Sequence, residues 1–354
     1  METKLLNGNN KEAIAEASKI LQDGGLVAFP TETVYGLGAD ALNADAAAKI
    51  YAAKGRPSDN PLIVHIADTD AVEKLADLET MNRTHPDMVK KAYMLMEAFW
   101  PGPLTIIFPK LAIVPDGTTG GLPTVAIRMP SHPIAQELIR TSGVSIAAPS
   151  ANTSGRPSPT TAQHVWEDMD GRIEMILDGG AVGIGIESTI VDMTGTIPTI
   201  LRPGFITKTM LSEIVGDVTI DPAIIEPDPN LRPKAPGMKY THYAPHGTLS
   251  IVEAVADESA NRASLHSGVK VSYNATEAET LRVAEKIKAL VNEKEAQGYK
   301  VAILTTKEHA SLYKNYSHVL IVGEGSKGQT ISARLYAALR ECDSEQMEYM
   351  YSEA

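Results

Sequence analysis

Two short motifs, far apart in the sequence, combine cationic and hydrogen-bonding side chains with glycine and proline. The first covers residues 54–57 (Lys-Gly-Arg-Pro) and the second covers residues 150–157 (Ser-Ala-Asn-Thr-Ser-Gly-Arg-Pro). Both lie where helix-like or strand-like runs end, and loops held by a rigid scaffold are where ligand contacts concentrate. Arginine offers a planar fork of donors and lysine a point charge, so the first motif predicts an anion site, with phosphate as the natural ligand.

Length and composition limit the possible classes of protein. The 354 residues exceed what one hydrophobic core usually serves, so we expect two domains. The formal net charge is -12 and both halves are acidic, which disfavours generic nucleic-acid binding. The single cysteine, Cys342, fits a reducing compartment. The chain starts without a signal-like segment and has no apolar run near the ~20 residues that span a membrane, so we expect a cytoplasmic protein.

The elements that must position these motifs have an α/β pattern. Residues 11–22 read as an amphipathic helix, residues 26–30 as a buried strand and residues 31–38 as a polar loop. A helix over 46–53 then delivers the first motif. Further strands are predicted at 62–66, 104–108, 125–128, 145–148, 173–177 and 188–192, with helical segments at 70–99 and 132–141. Because strands and helices do not alternate strictly, we predict a twisted, mixed sheet in this N-terminal domain, residues 1–215.

The chain changes character at residues 216–247, where prolines crowd a stretch without periodicity, and this predicts an extended linker. Residues 248–354 then resemble a small Rossmann-like domain. Its predicted strands are 248–254, 269–273, 301–304 and 318–322, and its predicted helices are 276–296 and 331–342. A glycine-rich turn at 323–328 fits the dinucleotide fingerprint but belongs to the last strand–helix unit, which favours a simple turn.

Other catalytic signatures are missing from the sequence. There is no Walker A motif, no G-x-S-x-G and no H-E-x-x-H, and the nine histidines lack metal-ligand spacing. We therefore expect no transition metal held by protein ligands. His65 lies on an apolar strand, where a histidine is by default a core residue.

Seven segments in order, the two opening motifs among them, resemble the YrdC/Sua5 family of threonylcarbamoyl-AMP synthases. The other five are residues 30–37, 100–105, 128–130, 187–192 and 201–204. The resemblance covers residues 11–210 and the linker, and the C-terminal domain resembles the extra domain of the longer, Sua5-type members.

The resemblance implies an enzyme, a nucleotidyltransferase that condenses L-threonine, bicarbonate (or CO2) and ATP into threonylcarbamoyl-AMP and pyrophosphate. The product serves the threonylcarbamoyladenosine (t6A) modification at position 37 of tRNAs that read ANN codons. Mg2+ is expected as a cofactor that accompanies ATP and is bound mainly by its phosphates. A separate threonylcarbamoyl transferase complex is the expected transient partner, without strong direct tRNA binding and without a membrane.

The resemblance also assigns roles to residues. Lys54 and Arg56 are the expected phosphate-binding and catalytic cations, because charge builds on the phosphates during transfer. The expected set of ATP contacts is completed by Ser150, Asn152, Arg202, Tyr240 and Tyr243. The expected threonine contacts are Thr33, His65, Arg128, Ser188 and Thr189.

The linker is expected to fold over the nucleotide, with its two tyrosines excluding water. The sequence departs from the family pattern there, with Ala235 in place of a common Ser and Thr241 in place of a common Arg. The missing Arg puts one phosphate contact in doubt. Glu32 and Glu187 are interpreted as structural partners of the cations, with no catalytic part.

Structural interpretations stand beside each of these roles. Lys54 and Arg56 could offset a helix dipole, and Ser150 and Asn152 could form a turn. Arg128 could be a surface strand residue, while the residues at 188–189 could be ordinary strand positions. Two competing functions also stay open: a carbamoyl-transfer module of the hydrogenase-maturation type, and a non-enzymatic RNA-binding protein.

Overall fold

The computed structural model describes residues 2–224, 234–236, 244–253 and 276–354. The chain divides into two compact units, Met1–Tyr243 and Ala244–Ala354. In the described residues the first unit contains an eleven-stranded mixed sheet and the second a four-stranded parallel sheet. The predicted α/β class, a mixed-sheet domain with a small Rossmann-like domain, is confirmed.

The described part of the first unit combines short strands with helices of one to four turns. Its strands are β1 (Lys4–Asn7), β2 (Val27–Pro30), β3 (Tyr35–Asp40), β4 (Ile63–His65), β5 (Leu104–Pro109), β6 (Thr124–Arg128), β7 (Ile146–Ala147), β8 (Met175–Asp178), β9 (Thr189–Asp192), β10 (Thr199–Arg202) and β11 (Thr219–Ile220). Its α-helices are α1 (Lys11–Gln22), α2 (Ala44–Lys54), α3 (Leu78–Thr84), α4 (Pro86–Phe99), α5 (Asp116–Thr119), α6 (Pro133–Ser142), α7 (Ala162–Met169) and α8 (Lys208–Val215). Two 3₁₀ helices, Thr69–Lys74 and Pro222–Ile224, complete the set.

The large sheet separates two hydrophobic clusters, because successive side chains of a strand point to opposite faces. Val27 and Phe29 of β2 belong to one cluster and Ala28 between them belongs to the other. Helices α1 and α6 cover the first face and contribute Ile14 and Leu138, among others, to its cluster. Both faces of the sheet are therefore buried, as the apolar strands predict.

The strand order places the ends of several strands side by side. The order is β1-β8-β2-β3-β7-β4-β6-β5-β9-β10-β11, with parallel and antiparallel pairs mixed. Strands β4 and β6 are parallel, and His65 is paired with Arg128. Strand β5 is antiparallel to β6 and places Thr105 on the other side of Arg128. The register thus brings residues of three predicted segments together.

One predicted loop is a strand. Residues 31–38 were expected to form a polar, glycine-punctuated loop, whereas β3 begins at Tyr35 and pairs antiparallel with β2. The glycines allow close packing rather than a turn: a Cβ on Gly38 would lie 2.7 Å from side-chain atoms of Phe29 and Ile146. The predicted helical run 70–99 is divided, because Asp77 caps α3 and Pro86 begins α4.

The second unit is a parallel sheet in the order β12 (Thr248–Val252), β15 (Tyr349–Glu353), β13 (Val301–Thr306) and β14 (Val319–Gly323). Helices α9 (Glu277–Ala296) and α10 (Gly328–Ser344) and a 3₁₀ helix, Ala310–Tyr313, accompany it. Strand β15, which lies between two other strands, was not predicted. The strand predicted at 269–273 lies outside the described residues. In the parts of the chain that the structure describes, no helix is long and apolar enough to cross a membrane.

Candidate functional site

A cleft with an empty volume of about 640 Å³ lies in the first unit. It collects residues from six of the seven segments that carry the resemblance, all except residues 100–105. Its lining residues are Thr31, Thr33, Val34, Gly36, Lys54, Arg56, Ile63, His65, Arg128, Ala148, Pro149, Ser150, Asn152, Ser154, Gly155, Glu187, Ser188, Arg202 and Pro236. Nine of the sequence-predicted site residues are therefore neighbours in the fold, and Thr189 is not among the lining residues.

Lys54 joins the two motifs that opened the sequence analysis. It is the last residue of α2, and Gly55 ends the helix in the left-handed conformation with φ of 62°. Glycine adopts this conformation without strain. Lys54 is 3% exposed, and its ammonium donates to the backbone carbonyls of Ser150 and Asn152. The side chain thus positions the second motif as well as placing a charge in the cleft.

Arg56 is held by the loop that follows it. Its Nε donates to the Asn60 carbonyl at 3.4 Å and its Nη2 to the Pro61 carbonyl at 3.2 Å. The hydroxyl of Tyr51 also donates to the Asn60 carbonyl, at 3.2 Å. The guanidinium is therefore oriented by backbone acceptors. Because Arg56 lines the cleft, an interaction with the helix dipole does not by itself account for its position.

Ser150 and Asn152 shape their own loop and also line the cleft. The Ser150 hydroxyl donates to Asn152 Oδ1 at 2.6 Å, and Asn152 Nδ2 donates to the carbonyls of Thr153 and Arg156 at 2.8 and 2.9 Å. Arg156 forms an ion pair with the buried Asp168. The turn-forming interpretation is therefore correct for this loop, and because both residues also line the cleft, ligand contact is open to them as well.

Arg128 lies at the end of β6 with 5% of its side chain exposed. Its Nη1 donates to Thr33 Oγ1 at 3.0 Å, its Nη2 to Glu32 Oε1 at 2.5 Å and its Nε to the Gly102 carbonyl at 3.3 Å. Burial alone would raise the pKa of Glu32, but the charge and hydrogen bond of Arg128 outweigh it and lower that pKa. Arg128 is thus a buried cation and not a surface strand residue.

His65 presents a neutral imidazole to the cleft. Burial, followed by the positive charge of Arg128, lowers its pKa to about 3. Its Nδ1 lies 3.0 Å from the Ile63 carbonyl, which can only accept, so Nδ1 carries a proton. The ring packs edge-on against Phe29. His65 is therefore both a satisfied core histidine and a lining residue.

Ser188 and Thr189 point in different directions, as neighbouring residues at the start of a strand do. Ser188 lies 2.7 Å from Thr105 Oγ1, and Arg202 donates to the Ser188 carbonyl at 2.9 Å and to its hydroxyl at 3.0 Å. Thr189 instead donates its hydroxyl to the Ile206 carbonyl at 2.7 Å. The predicted threonine-binding role of Thr189 is therefore not supported by its position, whereas Ser188 lies in the cleft wall.

Several lining residues were not predicted to bind anything. Glu187 is 8% exposed and accepts a short hydrogen bond from Ser158. Thr31 belongs to the segment 30–37, and its hydroxyl caps the turn before β3 by donating to the Val34 carbonyl at 2.6 Å. Their positions in the sequence gave a signal for both: Glu187 is next to Ser188, and Thr31 lies two residues before Thr33.

The described piece of the linker, residues 234–236, is close to the cleft. Pro236 lines it, and Ala235 is fully buried in a cluster with Ile63, Ile107, Ala126, Ile190 and Leu201. An Ala therefore suits this apolar position, where a Ser would need a hydrogen-bond partner. Tyr240, Thr241 and Tyr243 lie outside the described residues.

The electrostatic character of the cleft is cationic. Lys54, Arg56, Arg128 and Arg202 line it, and Glu187 is the acidic residue among the lining residues. In the described ranges, no group of three or more histidine, cysteine or acidic side chains is placed to hold a metal ion. The arrangement suits a ligand that carries several negative charges.

Comparison with known proteins agrees with this geometry. A family model described as "Telomere recombination" (Sua5, YciO and YrdC) matches residues 19–204, and one described as "Threonylcarbamoyl-AMP synthase, C-terminal domain" matches residues 206–354. The chain is 45% identical to the Bacillus subtilis threonylcarbamoyl-AMP synthase, over 98% of this chain and 88% of the relative. The chain belongs to the Sua5/YrdC family of threonylcarbamoyl-AMP synthases. It has the long, Sua5-type form, so the predicted resemblance is confirmed.

Two further relatives cover nearly the whole chain. The Pyrococcus abyssi threonylcarbamoyl-AMP synthase is 41% identical over 95% of this chain and 88% of the relative. The crystal structure of P. abyssi Sua5 complexed with L-threonine matches with a TM-score of 0.84 and 39% identity, covering 100% of this chain and 92% of that one. The fold of this Sua5-family member therefore matches that of P. abyssi Sua5 over nearly the full length of both chains.

Proposed function

We propose that this chain condenses L-threonine, bicarbonate or CO2 and ATP into threonylcarbamoyl-AMP and pyrophosphate, as the names of its relatives indicate for them. The observation that carries the proposal is the convergence of Lys54, Arg56, Arg128 and Arg202 on one cleft. Four cations in one partly enclosed space match a substrate pair with a triphosphate and a carboxylate. The product would supply the t6A modification at position 37 of tRNAs that read ANN codons.

The ATP end of the cleft is assigned to the two opening motifs. Lys54 and Arg56 would contact the phosphates, and Arg202 would contribute a third cation near the nucleotide. Ser150 and Asn152 would orient the nucleotide. The geometry supports this assignment because Lys54 is bonded to the carbonyls of Ser150 and Asn152, so phosphate and nucleotide contacts are fixed relative to each other.

The threonine end is assigned to Arg128 and its neighbours. The guanidinium would bind the carboxylate of the amino acid, while Thr33 and Ser188 would contact its hydroxyl or ammonium group. His65 borders the same space and is neutral at physiological pH, so it would not repel the ammonium. The P. abyssi Sua5 structure is complexed with L-threonine, which supports a threonine site in this family member.

The reaction needs positioned charge rather than a covalent enzyme intermediate. The threonine nitrogen bonds to the carbon of CO2 and loses a proton, which gives a carbamate. A carbamate oxygen then attacks the α-phosphorus as the bond to the bridging oxygen of pyrophosphate breaks. Negative charge develops on the α-phosphate and on the leaving pyrophosphate, where the cations of Lys54 and Arg56 stabilise it.

Mg2+ is proposed as the ion that accompanies ATP. Glu187, Ser150 and Asn152 line the cleft and carry oxygens of the hard type that Mg2+ accepts. The ion would be held mainly by the phosphates, and it would neutralise phosphate charge.

Further proposals concern the surroundings of the site. The linker, residues 216–247, would close the cleft, with Tyr240 and Tyr243 excluding water from the mixed anhydride. A threonylcarbamoyl transferase complex would receive the product, without strong direct tRNA binding by this chain. A cytoplasmic location is proposed, because the single cysteine fits a reducing compartment and ATP is available there.

The function is tested by following pyrophosphate and the adenylate product from labelled ATP and Mg2+. Threonine and bicarbonate are omitted in turn. Turnover that requires both cosubstrates is the expected result. Turnover with carbamoyl phosphate in place of threonine would indicate a hydrogenase-maturation type of reaction, and no turnover under any condition would refute the proposal.

A further inference from the structure

Glu32 joins two segments of the cleft wall and has no assigned role in the reaction. It follows β2 in the turn that leads to β3, and its two carboxylate oxygens are both used. Oε1 accepts from Arg128 Nη2 at 2.5 Å, and Oε2 accepts from the backbone N–H of Ser131 at 3.0 Å. A carboxylate engaged through both oxygens is suited to hold a group in place rather than to take a proton from substrate.

Arg128 depends on Glu32 for its orientation. Its three acceptors, Glu32, Thr33 and the Gly102 carbonyl, account for three of its five N–H groups. The other two acceptors are neutral, and the Gly102 contact is long at 3.3 Å. The charged bond to Glu32 is therefore the strongest of the three. Two N–H groups are left over, as many as a bidentate carboxylate contact uses.

Burial makes this ion pair effective at neutral pH. The side chains of Arg128 and Glu32 are 5% and 13% exposed, so water screens their attraction little. The pKa of Glu32, which burial alone would raise, is lowered by Arg128, so the carboxylate is ionised where the enzyme works. Loss of the charge on Glu32 would leave the guanidinium buried and held by neutral groups only.

We propose that Glu32 is a positioning residue for substrate recognition: its carboxylate fixes the Arg128 guanidinium so that the remaining N–H groups receive the carboxylate of the amino-acid substrate. The inference rests on the proposed function, because it assumes that Arg128 binds that carboxylate. It predicts that Glu32 affects the binding of the amino acid and leaves ATP binding unchanged, since Lys54 donates to the carbonyls of the second motif and Arg56 to those of residues 60 and 61.

The test uses Glu32→Gln, which keeps the shape of the side chain and removes its charge. Glu32→Asp keeps the charge on a shorter side chain, and Glu97→Gln removes a charge from the exposed face of α4 as the matched control. Pyrophosphate release by the unchanged chain is measured first, with threonine and bicarbonate, and its absence would refute the proposed function itself. KM for threonine and for ATP are then measured separately for each variant, together with the binding of L-threoninamide, which lacks the carboxylate.

For Glu32→Gln we expect the KM for threonine to rise about tenfold or more, with the KM for ATP within about twofold of the unchanged chain. Glu32→Asp should recover part of the loss, and Glu97→Gln should change neither constant. L-Threoninamide should bind equally weakly to the unchanged chain and to Glu32→Gln. If Glu32→Gln does not fold, Glu32→Asp decides, because its threonine KM must still rise more than its ATP KM.

The inference is overturned if Glu32→Gln leaves the threonine KM unchanged in an active enzyme. It is also overturned if both KM values rise by the same factor, which would indicate a general structural effect. An equal loss of threonine and L-threoninamide binding would likewise show that Glu32 does not act through the carboxylate.

Discussion

Replacing Lys54 tests its assignment as a phosphate-binding cation. The replacement also measures two contributions of this residue, one to activity through its charge and one to stability through its hydrogen bonds. The ammonium lies in the cleft wall, and it also donates to the carbonyls of Ser150 and Asn152. Lys54→Ala therefore removes a charge from the phosphate end and leaves two carbonyls without this donor. Lys54→Met removes the same charge and donors but fills most of the space that the lysine stem occupies.

The expected sizes of the two effects follow from the contacts. A buried acceptor left without a partner costs about 1–3 kcal/mol, so loss of the donor to the buried Asn152 carbonyl lowers the free energy of unfolding by about that amount, and the partly buried Ser150 carbonyl adds less. Loss of one charge-stabilising donor lowers turnover by at least ~10²-fold, which corresponds to about 2.7 kcal/mol in the activation barrier. Lys54→Ala should therefore lose both stability and activity.

The assay is pyrophosphate release at a temperature well below the measured melting midpoint of each variant, so that unfolding does not enter the rate. Lys49→Ala is the matched control, because Lys49 lies on the same helix and donates to the Gly24 carbonyl at 2.6 Å, outside the cleft. It should retain kcat/KM within about twofold. A folded Lys54→Ala or Lys54→Met variant with near-normal kcat/KM would refute the assigned role in phosphate binding.

Three further predictions concern other residues of the fold. His65 has a folded-state pKa of about 3 against an ordinary value of 6.5, so the unfolded chain binds a proton that the folded chain does not as pH falls through this range. In the unchanged chain this lowers the free energy of unfolding by up to about 1.4 kcal/mol for each pH unit below the ordinary pKa, and His65→Gln should abolish that contribution. Urea unfolding between pH 7 and 5 measures it, and an equal dependence of the unfolding free energy on pH in both proteins would contradict the lowered pKa. Thr189→Val should leave the threonine KM within about twofold and lower the free energy of unfolding by about 1 kcal/mol, because the Thr189 hydroxyl donates to the Ile206 carbonyl. Ser188→Ala should raise the threonine KM, because Ser188 lines the cleft. A larger rise in KM for Thr189→Val than for Ser188→Ala would restore Thr189 to the site. Cys342 is 1% exposed and burial raises the pKa of its thiol to about 12, so a thiol reagent at pH 8 should react only after urea is added, and rapid labelling of the folded chain would disprove this.

Most of the fold followed from patterns that are local in the sequence. The helix at Lys11–Gln22 has the predicted bounds, and α9 begins at Glu277 after the capping residue Thr276. Both have an apolar stripe and a polar N-cap, which are signals that the chain carries within a few residues. Strands β1, β3, β10, β11 and β15 were not predicted. Strand β3 is rich in glycine, and the pairing of β15 with two other strands depends on residues far away in the sequence.

The candidate site was predictable in its membership and less so in its contacts. Motif residues such as Arg56 and Arg202 were selected from the resemblance, and they lie in one cleft. Thr189 was selected together with Ser188 because a motif selects consecutive residues, whereas a strand turns them to opposite sides, and Thr189 lies outside the cleft lining. Glu32 was interpreted as a structural partner of the cations, and its ion pair with Arg128 agrees with that interpretation.

The sequence by itself determined the family, the element types and the residue types of the cleft, because motifs and periodicity are properties of short segments. Only the tertiary structure decided which of these residues meet. Lys54 reaches Ser150 and Asn152, and Glu32 reaches Arg128, across nearly a hundred residues of chain in each case. Such contacts depend on strand order and register, which are set by the packing of the whole sheet and not by any one segment.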